Sequence, residues 1–95
     1  MMIRMVDIAP GANTADEGSR LFEILDRALR TPGTVTISFD GIQTATPSFV
    51  STAFVALLDD FSYEDLTSRL RVTNSTRQIN DMIKTRLERS GSVPG

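Results

Sequence analysis

Residues 34–58 read TVTISFDGIQTATPSFVSTAFVALL, and the hydrophobic period changes once within them. Up to residue 39 the period is two. Val35, Ile37 and Phe39 alternate with Thr34, Thr36 and Ser38, which is the pattern of a half-buried strand with one apolar and one polar face. From residue 46 the period is helical: Phe49, Val50, Ala53, Phe54, Leu57, Leu58 and Phe61 recur as one broad apolar stripe. Thr46-Pro47-Ser48 opens that helix, with a threonine cap and a proline at the first position, where no N–H is needed. Asp40-Gly41 begins the turn between the two elements.

Working outward towards the N-terminus, residues 2–8 mix β-branched and apolar side chains and are followed by the turn cluster Pro10-Gly11-Ala12-Asn13, so a first strand is expected there. Thr14-Ala15-Asp16-Glu17 has the spacing of a capping box, in which hydroxyl and carboxylate satisfy each other's backbone amides. Leu21, Phe22, Ile24, Leu25, Ala28 and Leu29 then recur at helical spacing until Thr31-Pro32-Gly33 stops the element. On the other side, residues 60–68 read as a helix end and connection, and Leu70 and Val72 alternate with Arg69 and Arg71 as a third strand. Asn74 or Ser75 caps a last helix with Ile79, Met82, Ile83 and Leu87 on one side and Arg77, Asn80, Lys84 and Glu88 on the other. Residues 90–95 carry only Val93 as an apolar anchor and read as a mobile tail.

The expected architecture is α/β: one small domain over residues 1–89, in the order β-α-β-α-β-α, with a mainly parallel sheet. Because the second and third strands alternate, the helices are expected largely on one face of the sheet.

The chain has 95 residues, a formal charge of −2 and a 40% hydrophobic share, which suits one modest core. Charge is uneven: residues 31–68 hold five acids and no base, and residues 69–95 hold six bases and two acids. The basic third has no aromatic residue, which argues against nucleic-acid binding. There is no cysteine, no signal-like apolar segment in MMIRMVDIAP and no run approaching a membrane span, so a cytoplasmic protein that does not contact membranes is expected.

The chain also lacks histidine, so the usual general base and the usual strong nucleophile are both missing, and no catalytic residue and no enzyme activity are expected. Asp7 and Asp40 fall at the carboxyl ends of expected strands, where open α/β sheets place ligands. A metal-dependent phosphoacceptor or enzyme built on that pair is one alternative. It lacks a nearby lysine, since Lys84 in the last helix is the sole one. No phosphate loop or calcium loop is present, and no cofactor or metal is called for. On the second helix Ser48, Ser51, Thr52, Val55 and Asp59 lie at i, i+3, i+4, i+7 and i+11, away from the apolar stripe. They form a smooth surface for a partner. Ser48 sits in the first turn, where amides and the helix dipole favour added negative charge, as in phosphorylation.

The stretch quoted above, together with RVTNSTRQINDMI at residues 71–83, resembles the STAS-like family of small bacterial proteins, relatives of anti-sigma factor antagonists. The resemblance rests on the strand ending in Asp40-Gly41-Ile42, the helix opening Thr46-Pro47-Ser48-Phe49, and the step at Asn74 that leads into the last helix. It implies a regulatory protein whose partner is a histidine-kinase-like ATPase that phosphorylates the helix-opening hydroxyl residue, which is Ser48 here. Thr46 stands where those antagonists have aspartate, and Phe49 where they have glycine. Asp40, Thr46, Ser48, Ser51, Thr52 and Val55 are thus the expected partner-binding residues. A structural subunit that forms a homodimer through its polar sheet face is the second alternative.

Overall fold

The computed structural model describes residues 2–91. Three strands form a parallel sheet in the order β1-β2-β3: β1 Met2–Arg4, β2 Val35–Ser38 and β3 Leu70–Thr73. The helices are α1 Met5–Ile8, α2 Ala15–Leu29, α3 Pro47–Ala53, α4 Tyr63–Arg69 and α5 Arg77–Gly91, with a 3₁₀ helix at Val55–Asp59. Each strand lies beside the next in sequence. Right-handed crossovers, the form nearly all such connections take, then fall on the same side of the sheet. Register agrees: Ile3 pairs with Ile37 and Ile37 with Val72, so these point into the helical layer, and Ile3 and Ile37 are buried. The reverse face carries Met2, Arg4, Thr36, Ser38, Arg71 and Thr73, and Met2 is 62% exposed. The two-layer α/β fold is as the sequence patterns predict.

Five local expectations are corrected. The first strand ends at Arg4, opposite Ser38, the last residue of β2, and residues 5–8 turn into α1. The apolar stripe of residues 49–61 spans two elements, since α3 stops at Ala53 and a 3₁₀ helix takes over. Within residues 60–68, expected as a helix end and connection, and Arg69, expected in the third strand, Tyr63–Arg69 form α4, with the Ser62 hydroxyl accepting from the Asp65 amide. The hydroxyl that caps α5 is that of Thr76, one residue after the expected positions, accepting from the Ile79 amide. Of the expected tail, Ser90 and Gly91 belong to α5 and residues 92–95 lie outside the described residues.

The core is organised by three mutually touching rings. Phe39, Phe49 and Phe54 are fully buried, with centroids 6.3 to 6.5 Å apart. Such edge-on and tilted pairs add to the burial of large apolar area. Around them the buried aliphatics of α2 and α5, among them Leu21, Leu25, Leu29, Ile79 and Ile83, complete one continuous cluster.

Helices α2 and α3 come close together at Gly18, near the start of α2. A methyl group there would lie 2.7 Å from the Phe49 carbonyl oxygen and 2.9 Å from Thr52 Cβ, both on α3. Only a residue without Cβ lets the two backbones meet. At the far end of α2, Arg69 joins three strand-distant carbonyls: its guanidinium donates to Leu29 O at 2.8 Å, to Gly33 O at 3.1 Å and to Thr31 O, while pairing with Asp65. The planar fork of donors makes this set available to arginine and not to lysine.

Gly18→Ala is expected to lower stability by about 1–3 kcal/mol although alanine is the better helix former, because the clash is with backbone. Phe54→Ala is expected to cost about 3–5 kcal/mol by emptying a buried ring site. Urea denaturation of both variants measures each value, and an unchanged midpoint for Gly18→Ala would contradict the close packing.

Candidate functional site

The surface singled out by sequence lies where residues 40–46 leave the carboxyl end of β2 and enter α3. Phe39 precedes this loop and Phe49 follows its exit, and their rings touch in the core, so both ends are anchored. Between them Ile42 and Ala45 are buried, while Asp40, Gly41, Gln43, Thr44, Pro47 and Ser48 are exposed. Gly41 has φ 86°, a left-handed conformation suited to glycine, and it lies under the Val6 side chain.

Two sets of hydrogen bonds hold the loop. On one flank the Thr46 amide donates to Ala12 O at 3.0 Å and the Thr46 hydroxyl to Asn13 O at 2.8 Å, while the same hydroxyl accepts from the Phe49 amide. On the other flank the Gln78 carboxamide pairs with both backbone groups of Ala45, each bond 3.0 Å long, and Thr76 donates to Gln43 O. The loop is therefore fixed to the turn before α2 and to the first turn of α5. Ser38, expected on a polar strand face, is buried; its hydroxyl accepts from Asn74 Nδ2 at 3.0 Å and from the Asp40 amide at 3.3 Å, which ties the end of β2 to the end of β3. Asn74 takes φ 54° to make that reach, a conformation asparagine tolerates.

The turn at residues 9–14 has its own anchor. Glu17 accepts from the amides of Gly11, Asn13 and Thr14 and from the Thr14 hydroxyl, and Thr14 accepts from the Glu17 amide, which completes the expected capping box. The Asn13 amide, followed by the Thr14 hydroxyl and the other amides, holds the Glu17 carboxyl below the ordinary glutamate range, partly offset by lost hydration.

The expected partner-binding residues fare differently. Asp40 and Ser48 are exposed; Ser51 is half-buried. Thr46 is committed to capping α3 and latching residue 13, and Thr52 returns its hydroxyl to Ser48 O while its Cβ faces Gly18. Val55 is half-buried beyond the end of α3, in the 3₁₀ helix, so it is not in helical register with the serines. The α3 first turn is also less open to an anion than its sequence suggests. Pro47 has no N–H, the Phe49 amide serves Thr46 Oγ1 and the Val50 amide serves Thr46 O. Asp7 lies in α1, three residues beyond the end of β1 at Arg4, and not at the strand end itself. Among the described residues no group of three or more carboxylates is arranged to hold a metal ion.

Sequence reasoning missed Gly18, Thr76 and Gln78. The first was a glycine inside a helical pattern, a signal for close packing or function; the polar contacts of the other two are to residues 33 positions away and leave no local mark.

Residues 17–80 match the model of a family described as a STAS-like domain of unknown function (DUF4325). The chain belongs to this STAS-like family. The matched span includes the capping glutamate, Gly18, the whole of the 40–46 loop, α3 and the Thr76–Gln78 contacts that brace it. No curated protein and no solved structure matches the chain.

The depressed Glu17 pKa has a definite sign. Folded-state pKa lies below the unfolded value, so this contact stabilises fully above the ordinary glutamate pKa of about 4.3 and its contribution is lost as pH falls through the folded value. Melting temperatures taken from pH 6 downward should therefore fall less steeply for Glu17→Gln than for the parent; identical slopes would show that the carboxylate does not carry the turn.

Proposed function

We propose that this STAS-like chain is a protein-binding regulatory module that carries out no chemistry with its own side chains, and that its docking surface is the 40–46 loop with the exposed start of α3. The observation that supports this most is the combination of a loop braced on both flanks with an outer row left exposed: Asp40, Gly41, Gln43, Thr44, Pro47 and Ser48. A surface already ordered before binding avoids the entropy of ordering a loop on contact. The absence of histidine and cysteine from the chain is in keeping with a binding role. The STAS resemblance supplies the partner class, a histidine-kinase-like ATPase, and Ser48 as the residue it phosphorylates.

With Pro47 and Phe49 offering no free amide, a phosphate at Ser48 gains little from α3 itself. It acts by placing ~−1.5 to −2 charges at the edge of the docking surface, where desolvation and repulsion oppose association. The fold is left unchanged. The switch in this reading is thus at the interface and not in the domain.

The test uses the partner ATPase recovered by affinity capture and identified by mass spectrometry. The parent, Ser48→Asp and Thr44→Lys are titrated against it, with melting curves in parallel. Both substitutions are expected to leave stability within about 0.5 kcal/mol and to weaken binding at least roughly tenfold, equivalent to about 1.4 kcal/mol. Equal binding by all three would remove this face as the interface. Phosphate found by mass spectrometry at Ser48 after incubation with the ATPase and ATP would support the switch, and its absence would leave Ser48 as a contact residue only. A Mg²⁺-induced melting shift lost in Asp40→Asn would instead favour the metal-dependent alternative.

A further inference from the structure

A second surface lies at the β3 edge of the sheet and involves none of the exposed residues of the proposed docking surface. Among the described residues the sheet ends at β3. The Phe39 amide donates to Thr73 O at 3.0 Å, and alternate residues of a parallel ladder bond to the same neighbour, so it is Val72 whose N–H and C=O turn to the outer edge. An unpaired edge of this kind is a template for a further strand. Beside it runs a groove of about 290 Å³ between α4, β3 and α5, with Leu66, Leu70, Val72, Ile83 and Leu87 on its walls and the exposed Lys84 among its lining residues. Leu70 and Val72 are only half-buried there, two residues apart on the same side of the strand.

We propose that the free edge of β3 and this groove together receive an extended peptide segment by strand addition. Main-chain hydrogen bonds to Val72 supply the pairing, and every second side chain of the incoming segment enters the groove beside Leu70 and Val72. Charge selects the occupant. Among the described residues neither Lys84 nor Arg71, which is exposed on the reverse face of β3, takes part in an ion pair. Two copies joined through β3 would bring both pairs of cations to one interface, and like charges placed opposite one another across strands are destabilising. The segment is therefore from another protein, with apolar residues at alternate positions and carboxylates between and beside them. This surface is independent of the α3 docking surface, and either can fail without the other.

The probe is an N-acetylated, C-amidated heptapeptide, Asp-Val-Asp-Val-Thr-Val-Asp, titrated into the isotope-labelled parent protein and followed by amide NMR. Shifts are expected at residues 70–73 and 80–87, with slowed exchange of the Val72 amide. Methylating the backbone nitrogens of the central residues, or replacing each aspartate by lysine, should weaken binding at least tenfold, and Lys84→Glu, a surface change, should weaken the acidic peptide at least threefold. Ser48→Asp should have no effect. No binding at millimolar peptide, equal binding of the methylated peptide, or shifts centred on α3 would each overturn the proposal. So would a concentration-dependent dimer protected at Val72 without peptide, which would assign the edge to a second copy.

Discussion

The approach of α3 to Gly18 sets the distances on which the rest of the domain depends. With a side chain at that position the Phe49 carbonyl and Thr52 would have to withdraw, and the starts of α2 and α3 would separate. The turn before α2 and the loop before α3 would separate with them. It is because these two entries are adjacent that a single threonine hydroxyl can cap one helix and reach the carbonyl of residue 13. The glycine lowers the helix propensity of α2, by about 1 kcal/mol relative to alanine. The capping box one turn earlier, with Glu17 gathering three amides, counters that loss where it arises.

The brace on the far side comes from α5. Gln78 behaves towards Ala45 as a neighbouring strand would, giving one donor and one acceptor to the same residue, and Thr76 closes a third bond to Gln43. Between these supports the chain from Asp40 to Ser48 has its backbone held and its polar side chains outward. That division of labour suits a recognition surface: shape is fixed by distant residues, and the outer side chains can vary without disturbing the fold. Several hydroxyls in this region are nevertheless not available for recognition, since Ser38, Thr46, Thr52 and Thr76 all have structural partners.

Charge tells a similar story. The acid-only run of residues 31–68 suggests a surface for a basic partner, yet two of its five members are taken by the arginines that flank it at residues 30 and 69. Asp60 meets Arg30, whose guanidinium also holds Asp26 and lies 5.8 Å from the Phe61 ring centre; Asp65 meets Arg69. Asp26 first, and Asp60 after it, raise the Arg30 pKa further above its ordinary value. What remains for a partner is more local: of the five acids Asp40, Asp59 and Glu64 are exposed and in no ion pair among the described residues, and Lys84 and Arg71 lie equally unpaired among them at the β3 side.

The elements legible in the sequence are those whose cause is local. Alternation in residues 34–39, the Thr14–Glu17 box, the Thr46-Pro47 opening and the glycine-proline stop after α2 each act within a few residues, and each is found. Helix α4 had its local signal as well, a serine followed three residues later by an acid, but only Leu66 of that helix is buried and no stripe announces it. The boundary errors have a different origin. Strand β1 ends where its neighbour ends, and the stripe of residues 49–61 keeps its period across a change from α to 3₁₀ geometry because Phe54 and Leu57 still reach the same core. The sequence by itself determined the α/β class, the starts of α2 and α3 and the lack of the usual catalytic side chains. Only the tertiary structure decided that the Thr46 and Thr76 hydroxyls of the candidate surface are taken, why Gly18 is a glycine and where the sheet is left open, because these depend on segments distant in sequence that folding brings together, the partners of Thr46, Thr76 and Gly18 lying more than thirty residues away.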